Sequence, residues 1–201
     1  MGDGCSDGTE SLVSMKHCLS RRLLLTCFAV FCTSVLPTSA SRAATAREIN
    51  GESRAALQQL YNSVPAARRA GDSASAVLVF PSILKAGFVF GGQRGEGTLF
   101  SRGKTVGYYS TTAASYGLQA GIQKFGYALF FMTEHDLAYL RKSGGWEIGT
   151  GPSVVIVDKG MAKSFTTTTL QKGVYAFAFE QKGLMAGIGL QGTKITRIHP
   201  D

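Results

Sequence analysis

Apolar positions along the chain change period once, and that change organises the reading. From Arg47 to Ala70 the apolar residues Ile49, Ala56, Leu57, Leu60, Tyr61 and Val64 recur at three- and four-residue spacing, which predicts an amphipathic helix. Asn50-Gly51 is a candidate cap for its start, and Pro65 either breaks it or opens a second short helix. From Ser75 onward the runs are short and β-like: 77–80, 86–90, 98–100, 106–109, 127–132, 154–157, 174–179 and 188–198. Gly91-Gly92, Arg94-Gly-Glu-Gly97, Ser101-Arg-Gly-Lys104, Ser143-Gly-Gly145, Gln171-Lys-Gly173 and Glu180-Gln-Lys-Gly183 read as turns between them. In 174–179 the small residues Val174, Ala176 and Ala178 alternate with Tyr175, Phe177 and Phe179, so each set takes one face of a strand. One helix interrupts the strands. Thr133-Glu-His-Asp136 resembles a capping box, and Ser143-Gly144-Gly145 ends the segment it opens, near 134–142.

The expected fold class is therefore α+β: an N-terminal helix packed on a strongly bent, Gly-rich antiparallel sheet or partial barrel, with one inserted helix. Glycine carries the bend. There are 25 in 201 residues, many inside the strand runs, where glycine allows a bulge or a close backbone approach. The hexapeptides Gly117-Leu-Gln-Ala-Gly-Ile122 and Gly183-Leu-Met-Ala-Gly-Ile188 suggest internal repetition of a strand pair.

The first 46 residues read differently. A basic stretch from Met15 to Arg22 precedes the largely apolar Leu23–Leu36, and small residues follow. This is the order of a secretory leader, and the apolar run is shorter than the about 20 residues a membrane-spanning helix needs. Thr38-Ser39-Ala40 and Ala44-Thr45-Ala46 both fit a cleavage site. Ser20-Arg21-Arg22-Leu23-Leu24 fits a twin-arginine signal as well as a general secretory one. Leu24-Leu25-Thr26-Cys27 is a poor lipobox, which makes a lipid anchor at Cys27 the lesser alternative. The expected organisation is a leader over 1–46 and a single domain over 47–201, exported to the periplasm or cell envelope. All four cysteines lie in the first 32 residues, so that domain is thiol-free.

Chemistry motifs are sparse. Gly187-Ile-Gly-Leu-Gln-Gly192 matches a dinucleotide fingerprint in letters, but a strand pattern follows where a helix is required. Outside the leader only His135 and His199 occur, the acidic residues are scattered, and no G-x-S-x-G is present. A site assembled only in space escapes such a reading. The expectation is a non-enzymatic protein with no metal and no cofactor. Basic residues are more telling. The chain carries a net charge of +8, and Arg68-Arg69, Arg102, Lys104 and Lys85 sit at element ends or turns. They form either a solvated surface or a face for a phosphate-bearing partner. Export argues against nucleic acid and favours an anionic lipid or membrane surface.

The run from Val77 to Phe100, with Phe80-Pro81, Lys85-Ala86-Gly87 and Gly95-Glu96-Gly97 in fixed order, resembles the central signature of the SYLF-domain family. Tyr108-Tyr109-Ser110, Ser115-Tyr-Gly-Leu-Gln-Ala-Gly121 and Lys182-Gly-Leu-Met-Ala-Gly-Ile188 resemble its later blocks, so the likeness spans about 48–198. The resemblance implies lipid binding; eukaryotic members bind phosphoinositides, and some yeast members bind actin. It also implies an amphipathic N-terminal helix with Ile49, Leu57, Leu60 and Tyr61 on its apolar face. That face serves equally well for packing against a core. The candidate lipid-binding residues are Arg54, Arg68, Arg69, Lys85, Arg102 and Lys104. The alternative is a structural or assembly protein of the envelope that works through contacts with a protein partner.

Overall fold

The computed structural model of the chain describes residues 44–87, 90–116, 121–142, 144–157, 172–183, 190 and 192–201. The expected leader, Cys27, most of the glycine fingerprint and parts of both hexapeptides lie outside them. Helix α1 (Ala46–Ser63) starts one residue earlier than the periodicity suggests, because Thr45 supplies the cap. Its hydroxyl accepts from Glu48 N, and the Glu48 carboxylate accepts from Thr45 N at 2.9 Å. Asn50-Gly51 is therefore helix interior and not a cap. Val64 is extended, and Pro65, which has no N–H to lose, opens helix α2 (Pro65–Ser73).

Among the described residues eight strands follow: β1 (Ala76–Gly87), β2 (Phe90–Ser101), β3 (Lys104–Tyr116), β4 (Gly121–Phe131), β5 (Trp146–Glu147), β6 (Val154–Val157), β7 (Val174–Gly183) and β8 (Lys194–Ile198). Helix α3 (Glu134–Leu140) lies between β4 and β5. The sheet order is β5-β8-β3-β2-β1-β4-β7-β6. All pairings are antiparallel except β6 with β7, which run parallel, so the sheet is mixed. Three segments expected as turns are strand: Gly91-Gly92 and Arg94–Gly97 belong to β2, and Glu180–Gly183 extends β7. Glycine signals a turn only where the chain reverses. Gly95 and Gly97 instead serve a bulge on the neighbouring strand.

That bulge lies at Phe80–Ser82 of β1, where the register against both β2 and β4 slips. Pro81 cannot donate to a ladder, so the strand gives up pairing there. Backbones close in around it. A Cβ on Gly97 would meet the Phe80 ring at 2.7 Å, and one on Gly126 would meet Pro81 O at 2.8 Å. The sheet curls strongly as a result. The Phe131 and Trp146 rings lie 5.7 Å apart, although β4 and β5 stand five places apart in the strand order. In a flat sheet that separation would be about 24 Å.

Both faces of the curl are covered at one end. Leu78, Phe80, Leu129, Phe131, Val174 and Ala176 face inward with Leu137 and Leu140 of α3 and Trp146. Val77, Val79, Phe130, Tyr175 and Phe177 face outward beneath α1 and α2. The small and aromatic residues of β7 take opposite faces, as their alternation predicts. The face of α1 that carries Ile49 and Leu60 is buried in this outer core, and Ser53 donates to Val79 O at 3.3 Å. Core packing, rather than a free membrane-facing helix, is what the periodicity of α1 encodes.

Candidate functional site

A cleft of about 780 Å³ opens where α1, the end of α2 and the β2–β3 turn meet. Leu57 and Tyr61 of α1, Ala76 and Val77 of β1 and Phe100 of β2 form apolar walls. Arg54, Arg102 and Asp72 supply its charges. This volume falls in the range of small-molecule sites, which pair apolar walls with a few placed polar groups.

Each cation is positioned by local structure. The Arg54 guanidinium lies 4.9 Å over the Phe100 ring and donates to Gly103 O at 3.4 and 3.5 Å. It also donates to Thr105 Oγ1 at 3.4 Å, and Thr105 in turn donates to Asn50 Oδ1. Arg54 therefore fixes the turn against α1 and holds its own charge at the cleft wall. Arg102 and Gly103 both have positive φ, +50° and +74°, the geometry of a two-residue hairpin turn. Arg102 is the one non-glycine residue with positive φ among the described residues, and it is exposed. Such positions favour Gly, Asn or Asp, so an arginine there is held at an energetic cost.

Tyr61 closes the opposite wall. The Arg68 guanidinium lies 5.3 Å from its ring centroid. Gly71 leaves the space that the Tyr61 hydroxyl occupies; a Cβ there would collide with it. Burial pushes the Tyr61 hydroxyl up to about 12, the Asp72 carboxylate adds to the rise, and Arg68 opposes it. Tyr61 is a neutral donor throughout the physiological range.

The six expected residues separate in space. Arg54 and Arg102 share the cleft wall, and Arg68 adjoins it through Tyr61. Lys104 is exposed at the start of β3, beside Gly103. Arg69 is half-buried on α2 and does not line the cleft. Lys85 does not join the group. It lies eight residues along β1 from Val77, about 26 Å, on the inner face opposite Gln93 and Gln123. Leu57, Tyr61, Asp72 and Phe100 complete the cleft. The helical period assigns the first two to the stripe of α1, and no local pattern singles out the others. The position of Phe100, immediately before the Ser101–Lys104 turn, is the available signal.

The other chemistry-bearing groups have structural roles. Asp136 is buried; its carboxylate accepts from Thr133 Oγ1 at 2.6 Å and from Gly173 N at 3.1 Å, which ties α3 to the start of β7. His135 is exposed and lines neither this cleft nor the smaller one formed by 105–108 and 197–199. Among the described residues no three His, Cys, Asp or Glu side chains gather where a metal ion would sit. No helix among them is long and apolar enough to cross a membrane.

Residues 112–199 match the family model of Ysc84, described as a Las17-binding protein actin regulator. This is the SYLF family that the motifs of the sequence resemble. The match begins within β3, so the residues lining the large cleft precede it. No curated protein gives a significant match to the chain.

Proposed function

We propose, with the Ysc84-family match over residues 112–199 as premise, that this protein is an exported, non-enzymatic lipid-binding module that engages anionic phospholipid headgroups at the cell envelope. One observation carries the reading: Arg54 and Arg102 stand on the wall of a cleft otherwise lined by Leu57, Tyr61, Val77 and Phe100. A phospholipid asks for that combination, cations for the phosphate and apolar surface for the first part of the chain. Arg54 already spends bonds on the turn, which pre-organises it, and a charge-assisted bond to phosphate adds to them. Asp72 offers an acceptor to a headgroup hydroxyl, and Tyr61 remains a neutral donor beside it. The leader pattern and the +8 charge support an anionic surface outside the cytoplasm.

Calorimetric titration with short-chain phosphatidylglycerol below its micelle concentration tests this reading. Saturable binding that weakens about tenfold or more in Arg54→Gln/Arg102→Gln is expected. Equal heats from the wild type and the double variant would remove the cleft from lipid recognition.

A second reading, an envelope assembly protein that acts through protein contacts, draws on the family description and on β6. This four-residue strand ends the sheet and exposes Ile156. Crosslinking in intact cells tests it; recovery of the monomer alone argues against it.

A further inference from the structure

The smaller cleft, about 420 Å³, lies where the start of β3 meets the end of β8. Thr105, Gly107 and Tyr108 line it from one side, Arg197 and His199 from the other. The β3–β8 register sets Arg197 directly opposite Tyr109, so these two side chains share one face, with Cβ atoms about 5 Å apart. Tyr109 belongs to the inner core, which makes that the inner face. The large cleft, walled by Val77 and Phe100, belongs to the outer one.

Gly107 stands two residues before Tyr109 on β3, on the same face. A Cβ there would lie 3.3 Å from Tyr109 Cε2 and 3.6 and 3.7 Å from Arg197 Nε and Nη2. The glycine thus leaves a space that the tyrosine ring edge and the guanidinium border together. Cε2 is bonded to the carbon that carries the hydroxyl, so the hydroxyl end of the ring leans toward this space. Tyr109 is 2% exposed, and its hydroxyl has no hydrogen-bond partner among the described residues. A buried donor in that state lacks the bond that water would give it.

The charges beside the hydroxyl say what completes it. Arg197 is exposed and forms no ion pair among the described residues. Arg141 ends α3 directly after Leu140, which packs in the same inner core as Tyr109. Burial raises the pKa of the Tyr109 hydroxyl, and the charges of Arg197 and Arg141 oppose the rise, so both guanidiniums act on that group. Glu134 lies 3.5 Å from Arg141 in an exposed pair, a weak hold on the cation. Two guanidiniums and a phenol are all donors, and they suit a group with several acceptor oxygens.

We propose that Arg197, the Tyr109 hydroxyl and Arg141 hold a phosphate group over Gly107, at a site separate from the large cleft. The site uses none of the residues that line that cleft, so it stands or falls independently of the lipid reading. The phosphate is either the free ion or the headgroup of a phospholipid.

Calorimetric titration of the full chain with inorganic phosphate, at fixed ionic strength, tests the site. Saturable binding is expected, weakened about tenfold or more in Arg197→Gln. Tyr109→Phe and Gly107→Ala keep every charge, one removing the donor and the other filling the space, and both should also weaken binding. Tyr109→Phe breaks no bond within the protein, so its melting temperature without phosphate should not fall. Wild-type affinity in both of these variants, with loss in Arg197→Gln alone, would reduce the contact to surface charge and overturn the site. Absence of saturable phosphate binding to the wild type would overturn it as well. Phosphate binding that survives Arg54→Gln/Arg102→Gln supports a site apart from the cleft; its loss there would contradict that separation. Short-chain phosphatidylglycerol identifies the source. Lipid binding by Arg54→Gln/Arg102→Gln that added Arg197→Gln abolishes assigns the headgroup, and phosphate binding without lipid binding in that double variant assigns the free ion; either supports the site.

Discussion

Thr111 Oγ1 and Tyr127 Oη lie 2.8 Å apart in the interior, although their strands, β3 and β4, stand three places apart in the sheet. In a flat sheet those strands would be about 14 Å apart. The bond is a direct measure of the curl, and it closes where β1 carries Pro81. Tyr127→Phe strands the Thr111 hydroxyl and should cost about 1–3 kcal/mol in denaturant unfolding. Thr111→Val/Tyr127→Phe should cost less than the two single changes together, because no polar group is then left unpaired. Strict additivity would contradict the bond.

Two glycines should respond in opposite directions. Gly97 faces Val79 O and the Phe80 ring at the bulge, with no room for a methyl group. Gly97→Ala should destabilise by about 1–3 kcal/mol or more. Gly51 lies in the interior of α1, where an added Cβ would meet nothing within 4 Å, and Gly51→Ala should stabilise by about 0.5–1 kcal/mol. Thermal melts of the two variants decide the matter.

Arg102 should trade stability against binding. Arg102→Gly relieves its positive φ of +50° and should raise stability by about 1 kcal/mol. The same change removes a cation from the cleft and should weaken anionic lipid binding. A variant that gains stability and keeps full affinity would show that the turn arginine has no part in binding.

Alkaline stability should follow the tyrosines. Burial raises the hydroxyl pKa of Tyr61 to about 12, and raises those of Tyr109 and Tyr127 as well. A raised folded-state value means the native protein holds its proton where the unfolded chain, at about 10, releases it. This contribution is complete below pH 10 and is lost as pH climbs through 12. Melting temperature should be insensitive to tyrosine ionisation below about pH 10 and fall above it, with a shallower fall in Tyr127→Phe.

The cap of α1 bears on leader removal. A cut after Ala46 would delete Thr45, whose capping box with Glu48 contributes about 1 kcal/mol, and would break the bond from Ala46 N to Asp201 O. A cut after Ala40 preserves both. If the expected leader is removed, mass spectrometry of the processed chain should find Ser41 at its N-terminus; Arg47 there would contradict this.

Much of the architecture was legible because burial on one face writes a period into the chain. The stripe through Ile49 and Leu60, the stop at Pro65, the alternation along β7 and the Thr133–Asp136 cap each encode a local rule. The parallel β6–β7 pair was not legible, since strand direction depends on a connection and not on residue type. Gly95 and Gly97 misled because they answer a bulge in another strand, a contact between strands that local pattern does not carry. Arg54 and Arg102 were nameable as cations near element ends. Their meeting on one cleft with Phe100, and the separation of Lys85 from them, depend on how the sheet curls.

The central claim is that the folded chain recognises anionic lipid. Co-sedimentation of the full chain with vesicles of phosphatidylglycerol or of phosphatidylcholine, across a range of salt, tests it most directly. The account predicts pelleting with the anionic vesicles that declines as salt rises, and little with the neutral ones. Equal and negligible pelleting with both would contradict it.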